Sequence, residues 1–450
     1  MRSGTFSLAV VALAASGPAI AASVRQPEPQ TVSANQGASP SRGLWASATA
    51  SDLLLSSLLA KADTVDSVSR VKAQRDEAKA LATAGQKGLL PKLSPSLTAT
   101  GQTRVLGSGP SIKPSWTTQV GLTASHNFDV FGSGKARAAA AQARLDAAEA
   151  DLANAQRNAR LQIAQTYNAV RTAQARKRAA DRGLAAAEDS LILAQARYAA
   201  GLETGLGVSQ AQTARDVAQA AIPSLEQDEA SQILALEAFL AASPGSIAQA
   251  FAPKGAPPEI SIVDALALPI TSLASRADVR SAQALAEAAA FEARADHRDK
   301  WPSLSISAVL SRTDQQGATG GDPLGSLSAD LLGPLFDFGR LKALAEAGDA
   351  RAQTALIALR QATNAALQDV STQRSRVENA KQRVARQQAA VASARDQVSL
   401  ARARYTSGLS GFLDVLTAEQ AAITADNALA IAQGEAADAA FGFLASIGAE

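Results

Sequence analysis

Residues 196–202 read ARYAAGL and residues 403–409 read ARYTSGL, 207 positions apart. In a chain this rich in alanine seven similar letters can coincide, so the spacing has to hold elsewhere. It does: Phe131-Gly132 precedes Phe338-Gly339 by 207, Lys135 precedes Lys342 by 207, and Arg144 precedes Arg351 by 207. A constant offset over some seventy residues marks an internal duplication. In each copy the tyrosine is followed by two small residues and a glycine, the pattern of a helix C-cap and turn. Helical pattern resumes near Val208 and Val415. The motif therefore reads as the tip of a helical hairpin, written twice.

Upstream of each tip lies a long helical stretch, from Lys135 to about Ala200 and from Lys342 to about Ser407, each interrupted by one glycine, Gly183 and Gly348. Each would be roughly 100 Å long at about 1.5 Å per residue. The second stretch carries Val370, Val377, Val384, Val391, Val398 and Tyr405, every step seven residues. The first carries Ile163, Val170, Lys177, Leu184, Leu191 and Tyr198 in the same register. A strict seven-residue stripe tilts helices into left-handed supercoiling, and alanines between the stripe residues allow close approach. The shared register favours a bundle or helical barrel in which both copies play the same part.

Before each long helix the period changes from 3.6 to 2. Residues 93–102 read LSPSLTATGQ and residues 116–125 read WTTQVGLTAS; residues 304–311 and 324–331 repeat the theme less regularly. Segments of about ten residues with one apolar and one small-polar face are the signature of transmembrane β-strands. On that reading Leu97, Val120 and Leu122 face lipid, and Thr98, Gln119 and Thr123 face a lumen. Four strands are too few, because single-chain barrels begin at eight and open edges do not survive in lipid. Several chains would have to pool them: two give eight strands, three give twelve.

The N-terminus has Arg2, an apolar run from Leu8 to Ala15, and the small-residue site Ala19-Ile20-Ala21, the layout of a secretory signal peptide cut after Ala21. There is no cysteine, hence no disulfide and no N-terminal lipid on a mature chain starting at Ala22. Intact-mass measurement checks that start. A net charge of +2, with both signs interspersed, argues against a nucleic-acid surface. His126 and His297, the two histidines, have no ligand spacing, and the glycines at 201, 205 and 207 do not follow a strand into a helix as a phosphate loop requires. No catalytic constellation, cofactor site or metal site is legible.

The chain strongly resembles the TolC-type outer-membrane factor family over nearly all of its mature length. The resemblance is carried by LLPKLSPSL (89–97) and KWPSLSI (300–306), by FDVFGSGKARA (128–138) and LFDFGRLKALAEA (335–347), and by ARYAAGL and ARYTSGLSGFLDVLTAE at the tips. It implies an α+β membrane protein: long helical hairpins and four transmembrane strands per chain, with a homotrimer forming a 12-stranded barrel and a periplasmic helical tunnel. It implies an exit duct in the outer membrane for small molecules or unfolded polypeptides, in efflux or type I secretion. An inner-membrane pump and a periplasmic adaptor would be its partners, besides lipid. The alternative from another class is a soluble periplasmic coiled-coil adaptor or scaffold.

The layout expected is a signal peptide at 1–21, a flexible leader at 22–50, a first repeat at 51–239, an inter-repeat equatorial segment at 240–275 and a second repeat at 276–450 with an equatorial C-terminal end. The strands fall at about 93–104, 116–127, 304–313 and 324–332, the tips at about 199–207 and 406–414, and the leading helices at about 52–86 and 262–298. Gly201, Leu202, Gly408 and Leu409 are expected where the adaptor docks. The resemblance also implies a polar gate at the tips, for which Tyr198, Tyr405 and Asp414 are the candidates. Asp414 equally suits a helix N-cap before Val415-Leu416. The family pattern is incomplete: Ser410 stands where a basic residue is usual, Thr417 where a second Asp is, and Gly207 where an Asp often pairs with the tyrosine.

Overall fold

The computed structural model describes residues 43–50, 52–102, 115–260, 276–315, 321–333 and 336–448. The signal peptide, most of the leader, most of both strand-hairpin loops and the start of the expected helix 262–298 lie outside these residues.

Chain order runs α1 (Leu44–Thr49), α2 (Leu53–Leu59), α3 (Asp66–Lys87), β1 (Lys92–Gln102), β2 (Ser115–Phe128), α4 (Ser133–Ala199), α5 (Gly205–Phe239), α6 (Ala277–Arg298), β3 (Ser303–Gln315), β4 (Leu324–Leu332), α7 (Arg340–Thr406) and α8 (Phe412–Ser446). The long helices α4 and α7 are both 67 residues and the return helices α5 and α8 both 35, each pair offset by 207. The leading helices α3 and α6 are both 22 residues but are offset by 211, as are the starts of β1 and β3. The duplication thus extends further than the sequence motifs, with a four-residue difference absorbed inside the strand hairpins.

Aspartates start the long helices. Asp129 accepts from the backbone N–H groups of Gly134 (3.0 Å) and Lys135 (2.7 Å), and Asp337 from those of Gly339 (3.1 Å) and Leu341 (2.7 Å). These donors would otherwise be orphans of the first turn. At the other end both helices stop on a glycine at φ +75°, Gly201 and Gly408. The amide of Leu202 bonds back to Arg197 O at 2.9 Å and that of Leu409 to Arg404 O at 2.8 Å, the six-to-one bond of a Schellman turn.

α3 and α6 pack on the strand-proximal half of α4, α5 and α8 on its tip-proximal half, and α7 packs against α6 and α8. The spatial order is α3–α4–α6–α7 near the sheet and α5–α4–α8–α7 near the tips, so α4 is flanked on both sides and α7 on one. Burial follows: α4 buries 24 residues along its length, whereas α7, equally long, buries eight.

The largest apolar core lies midway along α4, where Ile163, Tyr167 and Val170 meet Leu55 and Leu58 of α2, Phe251 of the inter-repeat segment, and Phe441 and Leu444 of α8. Asp52 caps α2 through the amide of Leu55 and accepts from the Tyr167 hydroxyl at 2.5 Å, pinning the N-terminal segment to α4. Two expectations are corrected here. The leader expected over 22–50 gives way to helix from Leu44, because Trp45 finds a stacking partner in Phe441, 5.8 Å between ring centres. The single helix expected over 52–86 is two helices, because the chain turns at Ala62–Thr64 to bury both Ala62 and Val65 in the same core.

At the end of α5 the chain turns on Ala241 at φ +50°, while its counterpart in the second copy is Gly448 at φ +72°. A left-handed backbone costs a residue with a Cβ about 1–2 kcal/mol. Ala241→Gly is therefore expected to raise stability by about 1 kcal/mol and Gly448→Ala to lower it by as much, read as opposite shifts in a denaturation midpoint.

Candidate functional site

The four strands form one antiparallel sheet in the order β1-β2-β3-β4. Direct partners share a face. Leu97 pairs with Val120, Leu122 with Leu310, and Ala308 with Leu327, so Leu93, Leu97, Val120, Leu122, Leu310, Leu327 and Leu331 share one face. Thr98 pairs with Gln119, Ser94 with Thr123, and Ser307 with Ser328, so the opposite face is mainly hydroxyl and amide, with Val309 and Asp330 also on it. The apolar face has no cover within the chain: Leu97 is 73% exposed and Leu327 78%. Among the described residues no helix is long and apolar enough to cross a membrane.

Aromatic residues gather where the sheet meets the helices. Phe131 stacks on Trp301 at 5.3 Å, and Phe128 meets His126 edge-on at 4.4 Å. Phe336 and Phe338 project fully into solvent. Rings at this level suit the interface between hydrocarbon and water. His297 lies just inside this level and pairs with Asp349 at 2.9 Å. Among the described residues no cluster of side chains is suited to hold a metal ion.

The tips carry the second polar arrangement. Tyr405 is 1% exposed, packed edge-on against Phe412 at 5.6 Å in a small core with Leu191, Ala194, Ala211 and Val415. Its hydroxyl donates to Glu203 Oε2 at 2.7 Å. The Arg197 guanidinium covers the Tyr405 ring, 4.7 Å from its centre, and donates to Thr406 O at 2.9 Å. Arg197 and Glu203 belong to the first hairpin, Tyr405 and Thr406 to the second, so these contacts tie the two hairpins of one chain together. The hydrogen bonds from Tyr405 and from the Thr204 amide hold the Glu203 carboxyl below its ordinary range. Burial and the facing carboxylate push Tyr405 up to about 12.

The sequence candidates separate here. Tyr405 is at the centre of the arrangement, Tyr198 is exposed, and Asp414 is exposed in the first turn of α8, whose N-cap is Gly411. The cap reading of Asp414 is thereby corrected: the N-cap position falls three residues earlier. Leu202 and Leu409 are exposed at the two turns. Glu203 was missed. A Cβ on Gly207 would stand 2.6 Å from Glu203 Oε1, so glycine at 207 makes room for the carboxylate that residue 207 itself lacks. Higher up, Arg402 on α7 donates to buried Glu419 at 2.7 Å, and Glu419 also accepts from Ser190 at 2.5 Å, a second link between the copies that sequence reading did not find.

An exposed apolar sheet face backed by hydroxyls, set on helices too long for any ordinary globular core, is the build of an outer-membrane channel. The sequence pattern of the family described as Outer membrane efflux protein matches residues 58–242 and 268–449, and the chain belongs to that family. It is 27% identical over 390 residues to the pyoverdine export outer membrane protein OpmQ of Pseudomonas aeruginosa, covering 84% of this chain and 80% of that protein. It is 26% identical over 311 residues to the solvent efflux pump outer membrane protein SrpC of Pseudomonas putida, covering 67% and 64%. Among solved structures, the fold superposes on the outer-membrane channel OprN with a TM-score of 0.82 at 23% identity, covering 91% of this chain and 92% of that one. The outer membrane protein VceC of Vibrio cholerae gives 0.77 at 25% identity, covering 88% and 96%. The chain is an outer-membrane efflux channel with a long periplasmic portion; its relatives are channels, and it is not an enzyme.

Proposed function

We propose that three copies assemble into one exit duct, with twelve strands closing in the membrane and the long helices forming a tunnel beneath. The observation that carries this is the one-sided burial of α7. Its free flank is what α4 would present without α6 and α8, so the α3/α5 edge of a second copy, the counterpart of α6/α8, completes it. The sheet requires the same closure, since β1 and β4 leave two unpaired edges that lipid does not tolerate. The cargo is a small molecule handed over by an inner-membrane pump rather than a polypeptide, a reading supported by relatives named for pyoverdine export and solvent efflux. Outer-membrane fractionation, native mass and planar-bilayer recording test the duct: a trimer with defined conductance is expected, and a soluble monomer would refute it.

The tips at Gly201-Leu202 and Gly408-Leu409 receive the adaptor. Exposed Leu202 and Leu409 are two similar apolar anchors for a helical partner. Cysteine at 202 or 409 is expected to crosslink to the adaptor in whole cells, and crosslinks confined to strand-proximal positions would exclude tip docking. At rest the tips close on the Arg197–Tyr405–Glu203 arrangement, with Asp414 and Tyr198 exposed beside it. In this duct Leu97, Val120 and Leu122 lie against lipid and Thr98, Gln119 and Thr123 line the lumen.

A further inference from the structure

We propose that the duplication sets the register in which successive copies join: β4 of one copy pairs with β1 of the partner subunit so that Ser328 faces Thr100, Asp330 faces Thr98 and Leu331 faces Leu97. This rests on the trimer reading above. The junction between β2 and β3 is where the first copy of the repeat meets the second. In a closed ring, the junction between β4 and the next β1 is where the second copy meets the first again. The two junctions are therefore equivalent.

The repeat offsets carry the observed pairs across. Extending the offsets of the adjoining helices into the strands puts β2 207 before its counterpart at β4 and β3 211 after its counterpart at β1. The observed pair Val120–Arg312 becomes Leu327–Gly101, Gly121–Ser311 becomes Ser328–Thr100, Thr123–Val309 becomes Asp330–Thr98, and Ala124–Ala308 becomes Leu331–Leu97.

Two features of the chain agree with this register without having been used to derive it. An odd error in either offset would have set apolar residues against polar ones, because the side-chain period is two. Instead Leu331 meets Leu97 and Ala329 meets Ala99 on the lipid face, while Ser328 meets Thr100 on the lumen face. The second is Pro95, which has no N–H to give a ladder. In this register Pro95 falls opposite Gly333, one residue beyond the end of β4. Both edge strands are exposed along their whole length, whereas β2 and β3 are partly covered.

Disulfide trapping in the native membrane tests the register, and the chain has no cysteine of its own. At the observed junction a Cβ on Gly121 would stand 3.7 Å from Ser311 Cβ, a separation a disulfide spans. The equivalent double variant, S328C with T100C, is expected to give reductant-sensitive covalent dimers and trimers on oxidation. The yield should be about tenfold above S328C with T98C or S328C with Q102C, whose Cβ atoms sit one same-face step away. Co-expressing the two single variants gives the same readout if the double variant assembles poorly, with covalent dimers as the expected product. Preferential trapping of a shifted pair, or of none while native mass still reports a trimer, overturns the register and leaves the duct standing. A monomer by native mass, with no pair trapped, overturns both.

Discussion

Leu97→Arg is expected to abolish assembly in the outer membrane, while Thr98→Arg, one residue along, assembles and changes conductance. Leu97 is the central residue of the eleven-residue strand β1, on the apolar face, and 73% exposed. An arginine facing lipid at the bilayer midplane costs about 2–4 kcal/mol. Three copies multiply that to about 6–12 kcal/mol per trimer, comparable with the whole stability of an ordinary domain. Thr98 lies on the hydroxyl face opposite Gln119. A guanidinium there stays in water, and in the register proposed above it stands across from Asp330 of the partner subunit. Heat-resistant oligomer on a gel, followed by bilayer recording, separates the outcomes. Equal assembly of the two variants would mean that this sheet is not in lipid.

Glu203→Ala is expected to give the largest change in gating. It removes the acceptor of the buried Tyr405 hydroxyl at the edge of a small apolar core. A hydrogen bond to a charged group is worth about 1.5–3 kcal/mol, and the lower figure suits a carboxylate in contact with water. That is roughly a tenfold gain in the open-to-closed ratio per chain, acting three times in a trimer. Tyr405→Phe should move conductance in the same direction. Asp414→Ala should act more weakly, because Asp414 is exposed and makes no side-chain cap. Its signature is relief of block by divalent cations from the periplasmic side with thermal stability unchanged. If Glu203→Ala and Tyr405→Phe lower stability but leave conductance as it was, the arrangement holds the hairpins together and does not gate.

The pH dependence of this lock follows from its two titrations. The Glu203 carboxyl is depressed in the folded tip, so its contribution is complete at neutral pH and is lost as pH falls through the folded value, below 4.5. Tyr405 is raised to about 12, so its contribution is complete below the ordinary tyrosine value and lost only as pH rises through about 12. Between these limits the closed fraction should not change. Recordings at pH 5.5, 7 and 9 are expected to superimpose, and opening to begin below about pH 4.5.

The long helices, their tips and the faces of the sheet were legible because each is fixed by local pattern. Gly201 and Gly408 sit in left-handed turns that favour glycine. Leu97 and Thr98 fall on opposite faces because neighbours in a strand must. What escaped depends on contacts between distant positions. Glu203 lies 202 residues from the tyrosine it binds, and its counterpart in the second copy is a serine, Ser410, so repeat comparison hides it. Trp45 lies in a six-residue helix too short for any periodicity, and the ring it stacks on, Phe441, is far along the chain. The 211 offset escaped because the motifs that reveal the duplication all lie on one side of the four-residue difference.

The equal lengths of α4 and α7 also constrain how such a chain can change. One residue added to α4 alone would lower its tip by about 1.5 Å and rotate everything beyond it by about 100°. The Arg197 guanidinium would leave the Tyr405 ring, and α5 would return out of phase with its neighbours. The depth of the periplasmic shaft is therefore quantised. It can change by about 10 Å at a time, seven residues inserted together in α4, α5, α7 and α8, because only a whole two-turn step nearly preserves the facing of every stripe. The strand hairpins obey no such rule. The two copies already differ there by four residues, so the outward end is free to drift in length while the inward end keeps step.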